Sequence, residues 1–562
     1  MKPIKLFYSI LDEQGKKNLI FNIFLSTIVM FSEIFTATLI FPMIAMILNK
    51  DLNLNFIDIS FLLSFFPENH VLLYFLGFFL SFFLIKSLFF LYVLWCNLNF
   101  TFLIKQKLNK KLFINFINLN FEFYLKYKKA KIVNNVTNEI NFISNSAKHI
   151  LVIITESLVI FGIIIFFLLV DYQITLIFLL MISLLSFFIY FYKKKIFFYG
   201  KIRSSNDEKV IFFLSEAVNG FRELKIYQKF KYFVTKFDES IKNSTKSFIK
   251  SSFLTGMPRQ IIDVIFILLL TLNIFLLNFF SDSYETDLFK LLGFYAIIGF
   301  RIIPSINRIV TSLGGISMVQ FPIINYINII KELKNNIDSD LKIRVNTKFD
   351  KIISRNLNFK FNAENNYLFQ NLNFEIEKNQ KIGITGPSGT GKTTLLNILM
   401  GLLNPTSGEI YFINDGIKNN PGNIKFSYVP QDSFLFDASI KQNITLEIDN
   451  HKVDDNLLAK SIDSAQMKNY ISSLVNGVDT KIGYDGTNLS GGEKQRIAIA
   501  RALYTDANIL ILDEITSSLD SANANKILNI INDINNKTII MISHIKEHLE
   551  ICDKIINLEE NK

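Results

Sequence analysis

A chain of 562 residues, half of them apolar, with 58 Phe and a mean hydropathy of +0.32, is too long for one domain and too apolar for an ordinary soluble protein. Its net charge of +10 comes from lysines crowded beside apolar runs, which suits a membrane surface and argues against nucleic acid as a partner. With only two cysteines, Cys96 and Cys552, neither a disulfide framework nor a cysteine metal cluster can be built.

In chain order, Asn18 to Leu48 is a long apolar helix preceded by Lys16 and Lys17. It exceeds a signal peptide in length and has no small-residue cleavage site. Five more spans of roughly 20 residues or more follow: Val71 to Phe100, Ile150 to Val170, Tyr172 to Tyr192, Ile261 to Phe280 and Leu288 to Val310. Lysines fill the segments Lys105 to Lys131 and Lys193 to Lys250. Ser281 to Asp287, by contrast, carries Asp282, Glu285 and Asp287 and no base. The positive-inside rule therefore puts both termini and both long loops in the cytoplasm.

At the turning points of those loops stand FEFYLKY (Phe121 to Tyr127) and GFRELKIY (Gly220 to Tyr227), either solvated turns or short helices that dock onto a cytoplasmic domain. Between the first two spans, Lys50 to His70 places Phe56, Ile59, Leu63 and Phe66 on one helical face. That face fits an interfacial helix holding a lipid tail, or a lid packed on the spans.

Ionisable residues within spans are costly and so are functional candidates. Lys86 in span two, Arg301 and Arg308 in span six, and Arg259 at the cytoplasmic start of span five form a candidate cavity for an anionic headgroup. Arg301 and Arg308 are about two turns apart on one face, with Pro304 between them as a possible kink. The alternative is that these bases pair with Glu33, Glu156 and Asp263; four bases against three acids leave one positive charge over.

From Ile329 to Phe349 the composition turns polar, as a linker between a six-span helical domain (1–328) and a strand-and-helix α/β domain (350–562). In the latter, GPSGTGKTT (Gly386 to Thr394) lies between the strand-like run Lys381 to Thr385 and the helical run Leu395 to Leu403, the context a phosphate-binding P-loop needs. Gly386, Gly389 and Gly391, with Ser388 and Thr394 beside them, let backbone N–H groups converge on phosphate oxygens at a helix N-terminus. Lys392 reaches the β- and γ-phosphates and Thr393 ligates Mg²⁺.

Ser490, Gly491 and Gly492 of LSGGEKQR open a second helix whose first turn faces an anion. ILILDE (Ile509 to Glu514) is a buried strand with two acids at its end: Asp513 to hold Mg²⁺ through water, Glu514 to polarise the attacking water. SSLD (Ser517 to Asp520) follows, His544 stands after the strand Thr538 to Ile542, and Gln431 after Phe426 to Pro430.

Together these residues resemble the nucleotide-binding domain of ABC transporters, over Asp350 to Leu558. The resemblance makes Gly386 to Thr393 the P-loop, Gln431 the Q-loop residue and a Mg²⁺ ligand, Leu489 to Gln495 the signature, Asp513 and Glu514 the catalytic pair, Ser517 to Asp520 the D-loop and His544 the switch histidine. It puts the adenine on Phe361, with Tyr367 as the alternative, and it sets Tyr484 where many members carry Glu. In this family the P-loop of one subunit and the signature of the other enclose each nucleotide. The resemblance therefore implies a homodimer with two equivalent sites for ATP and Mg²⁺, with Ser490, Gly491, Gly492 and Gln495 of the signature in trans and Asp520 also at the nucleotide.

The membrane half resembles the bacterial flippases of lipid-linked oligosaccharides, the PglK type, above all at FRIIPSINRIVTS (Phe300 to Ser312); Lys86 stands where that type leads one to expect Arg. This implies an ATP-driven flippase that moves a polyprenyl-pyrophosphate-linked glycan to the outer leaflet of a bacterial inner membrane. The alternatives are an exporter of another lipid, a drug or a peptide, and an ATP-gated channel or regulator.

Overall fold

The computed structural model describes residues 2–48, 72–170, 172–280, 295, 298–337, 349–361, 366–447, 449–483, 486, 488–516 and 521–561 together with Val71. The loop Lys50 to His70, the acidic segment Ser281 to Asp287, Tyr484, and Ser517 to Asp520 lie outside them. The chain forms two compact units, one of residues 1–117 and 127–337, the other of residues 118–126 and 338–562.

The described residues of the first unit are almost entirely helical, and the segment Asn118–Lys126, which belongs to the second unit, interrupts them in the chain. A short helix α1 (Lys2–Ile10) precedes α2 (Glu13–Leu48) and α3 (Val71–Ile117). Among the described residues five helices are long and apolar enough to cross a membrane. A further long helix, Tyr172–Asn219, begins where the fourth span is read from the sequence. α4 (Phe121–Lys126) and α5 (Lys129–Asn134) lead through a π-helical turn, Asn135–Glu139, into α6 (Ile140–Val170). α7 (Tyr172–Asn219), α8 (Phe221–Tyr227) and α9 (Phe230–Phe280) follow, and a second π-helical turn, Ile298–Ile302, feeds α10 (Ile303–Asn335).

Pro304 falls in the first turn of α10, where its missing N–H would lack a helical partner anyway; the departure from α-geometry lies just before it. The polar stretch after Ile329 is helical as far as Asn335, because Ile329, Ile330 and Leu333 remain buried on one face. Leu25, Val29, Val159, Ile163, Ile262, Ile302 and Ile306 interdigitate at the centre of the bundle.

Among its described residues the second unit has two sheets. In the five-stranded parallel sheet the order is β6 (Ser427–Val429), β7 (Ile509–Asp513), β8 (Thr538–Ile542), β3 (Lys381–Thr385) and β9 (Lys554–Asn557). All residues of β7 and β8 are buried, which is why ILILD and TIIMI are nearly unbroken apolar runs. The other sheet is antiparallel and was not foreseen from the sequence: β2 (Phe369–Glu377), β1 (Lys351–Phe359), β4 (Ser407–Asn414) and β5 (Ile417–Asn419). In β2 buried and exposed residues alternate over much of its length, so one face of that sheet packs on the core and the other meets water. α4, one of the two turning-point segments, belongs to this unit, and its Phe121 packs on the core formed by both sheets. The other, α8, buries no residue of its own.

Candidate functional site

Every segment expected to hold nucleotide phosphate or activate water, the signature apart, sits at the carboxyl end of a parallel strand. Registers Ile384 to Ile542 and Asp513 to Ile542 bring the ends of β3, β8 and β7 level, and Val429 to Leu512 adds β6. Backbone continuing past those ends delivers Gly386, Gln431, Glu514 and His544 to one crevice, where open α/β sheets bind ligands.

The P-loop leaves β3 and enters α11 (Lys392–Leu399). Gly391 has φ +90°, and a Cβ there would stand 3.3 Å from the Phe369 ring, so conformation and space both require glycine. Ser388 and Gly389 are exposed at the rim, and Thr394 is half-buried in the first turn of the helix. Lys392 is buried, and its ammonium donates to the carbonyls of Gly386 at 2.9 Å and Pro387 at 3.0 Å. Burial holds this ammonium below the usual lysine range. A buried cation with only neutral acceptors, under a loop of glycines, is built for an anion.

Asp513 ends β7 almost fully buried. Its carboxylate accepts from Thr393 and, at 3.3 Å, from the Tyr428 hydroxyl. Desolvation first, and then neighbouring Glu514, push the Asp513 carboxyl above the ordinary range. Thr393 and Asp513, the two residues expected at Mg²⁺, are thus in contact, and a dication would relieve the desolvated charge. Tyr428 is a site residue that sequence reasoning missed. Its only signal is its place in β6, partly exposed between buried Ser427 and Val429. Burial and Asp513 push its phenol upward, so it stays a donor.

Glu514 is the centre of the polar cluster. Gln431 Nε2 donates to Glu514 Oε2 at 2.9 Å, and His544 Nε2 lies 2.7 Å from Glu514 Oε1. Glu514 has φ +49°, a left-handed conformation unusual for this residue type, and its N–H donates to Ile542 O at 3.1 Å. The three residues expected to act on water are therefore brought together from three strand ends.

The signature lies on the other side of the unit. Ser490 caps α12 (Gly491–Tyr504), its hydroxyl accepting from Glu493 N while the Glu493 carboxylate takes the Ser490 N–H at 2.7 Å. Gln495 is buried, and its Nε2 has no hydrogen-bond partner among the described residues. This helix belongs to a second hydrophobic core around Val429, Leu435, Ile440 and Ile497, separate from the core under the P-loop. Phe361 packs edge-on against Phe359, with ring centroids 5.1 Å apart, while Tyr367 lies under the ammonium of Lys360. Asp520 lies outside the described residues.

In the membrane unit three of the four expected cavity bases meet acids. Glu33 on α2 receives both Lys86, at 2.9 Å, and Arg301, at 3.0 Å; Arg308 meets Glu156 at 2.8 Å. Glu33 and Glu156 are buried; around Glu33 both cations also lose most of their water, so that pairing is strong in position if not in net stability, whereas Arg308 stays half-exposed. One carboxylate between two cations leaves a local excess of positive charge. Arg259 is exposed and makes no ion pair among the described residues.

Residues 369–517 match the family model described as ABC transporter. Residues 19–299, 281 of the 562, match the one described as ABC transporter transmembrane region. Over 209 residues the chain is 33% identical to the ATP-dependent lipid A-core flippase of Ralstonia nicotianae, a stretch covering 36% of this chain and 35% of that protein. It is 38% identical over 213 residues to ABC transporter ATM1 of Plasmodium falciparum, covering 37% of this chain and 20% of that one. The chain spans little more than a third, or less, of the length of the curated relatives named here, 38% for a Haemophilus influenzae ABC transporter ATP-binding/permease protein. The solved structure of a bacterial Atm1-family ABC exporter with ATP bound has the same fold, with a TM-score of 0.76 at 18% identity over 97% of this chain and 93% of that one.

Proposed function

The chain belongs to the ABC transporter family, and from that premise we propose that it is an ATP-driven flippase moving a polyprenyl-pyrophosphate-linked oligosaccharide from the cytoplasmic to the outer leaflet of a bacterial inner membrane. The observation that carries the ATPase part is the convergence of Gln431 and His544 on the two oxygens of Glu514 beside the P-loop. Lys392 and the P-loop N–H groups hold the phosphates of ATP. Glu514 takes the proton of the attacking water, with His544 and Gln431 fixing its orientation. Thr393, Asp513 and Gln431 would hold Mg²⁺, whose charge would offset that of the phosphates. The active form in this reading is a homodimer in which two chains supply one another's sites; the anchoring of the signature helix in a different core from the P-loop supports it. ATP drives the change only through its greater affinity for the closed pair.

The cargo part rests on Glu33 held between Lys86 and Arg301, with Arg308 half-exposed beside Glu156 and Arg259 open to solvent. A pyrophosphate competes with Glu33 for those cations and takes up the excess charge. The lipid cargo named for the Ralstonia relative supports an amphiphile. The second reading, export of another lipid, drug or peptide, is favoured by the same ion pairs if they persist with cargo bound. The test is ATP-dependent translocation of the polyprenyl-pyrophosphate-linked glycan in proteoliposomes, native chain against Glu514→Gln. Movement lost in the variant supports the flippase. Intact ATP hydrolysis with no movement of that lipid in the native chain overturns the cargo assignment and leaves the ATPase standing.

A further inference from the structure

Past the ends of β7 and β8 the chain is tied together by two side-chain pairs, of which the chemistry described above uses only the nearer. In that one the Glu514 N–H donates to Ile542 O at 3.1 Å and the Glu514 carboxylate meets His544 Nε2 at 2.7 Å. The second lies two residues beyond Glu514 and four beyond His544, where Thr516 Oγ1 and His548 Nδ1 are 2.9 Å apart. Thr516 is buried, and His548 stands half-buried in the 3₁₀ turn Lys546–Leu549. Beside this pair Ile515 and Leu549 are buried in one and the same hydrophobic core.

The backbone at Glu514 gives the second pair something to do. A glutamate keeps φ +49° only where its surroundings over-determine it. The nearer pair cannot supply that hold at every stage of turnover. Once Glu514 has taken the proton of the attacking water, the negative charge that draws His544 Nε2 is gone. The contact between Thr516 and His548 touches no reacting atom and does not depend on that charge. Only the buried Ile515 separates Thr516 from Glu514, so a displacement of Thr516 is passed directly to the strained residue.

We propose that His548 is a positioning residue for ATP hydrolysis: through Nδ1 and the Thr516 hydroxyl it holds the turn after β7, and with it the Glu514 carboxylate, against the turn after β8. The inference rests on Glu514 being the group that acts on water. Either tautomer of His548 serves, with Thr516 donating to a bare Nδ1 or accepting from a protonated one. The requirement is for a polar atom at the Nδ1 position, which an asparagine side chain reproduces and a glutamine side chain, reaching the Nε2 position, does not.

The experiment measures kcat and KM for ATP by phosphate release, together with the melting temperature, on the full-length chain in detergent. His548→Gln and Thr516→Val, the latter removing the hydroxyl at constant shape, are expected to lower kcat about 10-fold with KM within about 2-fold. Their melting temperatures should stay within about 2 °C of the native value. His548→Asn and Thr516→Ser should hold kcat within about 2-fold, and Thr516→Val with His548→Gln should be no worse than either change alone. Equal losses in the Asn and Gln variants, losses that multiply in the double variant, or melting temperatures that fall in step with kcat overturn the proposal. Nucleotide binding in a Glu514→Gln background should be the same with Thr516 or Val at position 516; weaker binding with Val would mean that the contact serves the nucleotide rather than Glu514, and would also overturn it. Near-native turnover in Glu514→Gln itself would instead overturn the catalytic assignment of Glu514. Lost turnover there, with native kcat in His548→Gln and Thr516→Val, sinks this inference alone.

Discussion

Glu514 and Glu33 are both carboxylates that draw two side chains from distant parts of the sequence, and they do so by opposite routes. Glu514 takes Gln431 and His544 because parallel strands end side by side, so each partner stands two residues past the end of its strand. Glu33 takes Lys86 and Arg301 because three helices of a bundle meet, and nothing near any of the three in sequence announces the others. In the sheet the backbone delivers the site; in the bundle the side chains find each other. The first kind of site tolerates change in its surroundings and fails in chemistry, while the second fails in stability.

The largest expected effect breaks the first site. Glu514→Gln removes the group that takes the proton while keeping its shape, and ATP turnover, measured as phosphate release, falls about 100-fold or more with nucleotide binding retained. Turnover near the native level would remove Glu514 from the chemistry. Next comes the second site. Glu33→Ala strands two cations, and the loss of about 3–5 kcal/mol typical of a broken buried pair is read as a lower melting temperature in detergent. Adding Lys86→Met and Arg301→Met to that variant should recover most of the loss; no recovery would mean that Glu33 acts through contacts other than these.

A smaller effect sharpens the contrast inside the ATPase unit itself. The Asp513 carboxyl has a folded-state pKa above its unfolded value, so as pH rises past the ordinary carboxylate range the unfolded chain loses its proton first and stability falls until the raised value is passed. Asp513→Asn removes that penalty. At neutral pH it should raise the melting temperature of the nucleotide-free protein by about 1–3 °C while abolishing Mg²⁺-dependent turnover, and the gain should vanish below about pH 4. A variant that melts lower would make Asp513 a structural anchor through Tyr428 and Thr393. The smallest effect belongs to Arg259, exposed and without an ion pair among the described residues. Arg259→Ala should leave stability within about 0.5 kcal/mol, and under the flippase reading it weakens transport alone.

The same division explains what the sequence disclosed. P-loop, Gln431, the Asp513 and Glu514 pair and His544 were legible because each follows a short apolar strand, and the chemistry demands those residue types at those spacings. The membrane pairs were legible only as a tally of bases and acids. That Glu33 serves Lys86 and Arg301 together, leaving Glu156 to Arg308, depends on helix rotation that no local pattern encodes. The antiparallel sheet was hidden because its strands carry Asn and charge on the face that meets water, as in RNLNF of β1 and QNLNF of β2, and such runs read as loop. The helix that continues to Asn335 was hidden because its exposed face is as polar as a linker, and only the spacing of Ile329, Ile330 and Leu333 betrays it.

The left-handed backbone at Glu514 bears on how this protein can be improved. A glutamate held at φ +49° costs of the order of 1 kcal/mol that an asparagine or glycine at the same place would not. Laboratory selection for heat resistance alone would therefore drift toward Asn or Gly at position 514 and arrive at sturdier proteins that no longer turn over nucleotide. Any screen for a more robust version has to score phosphate release in the same well.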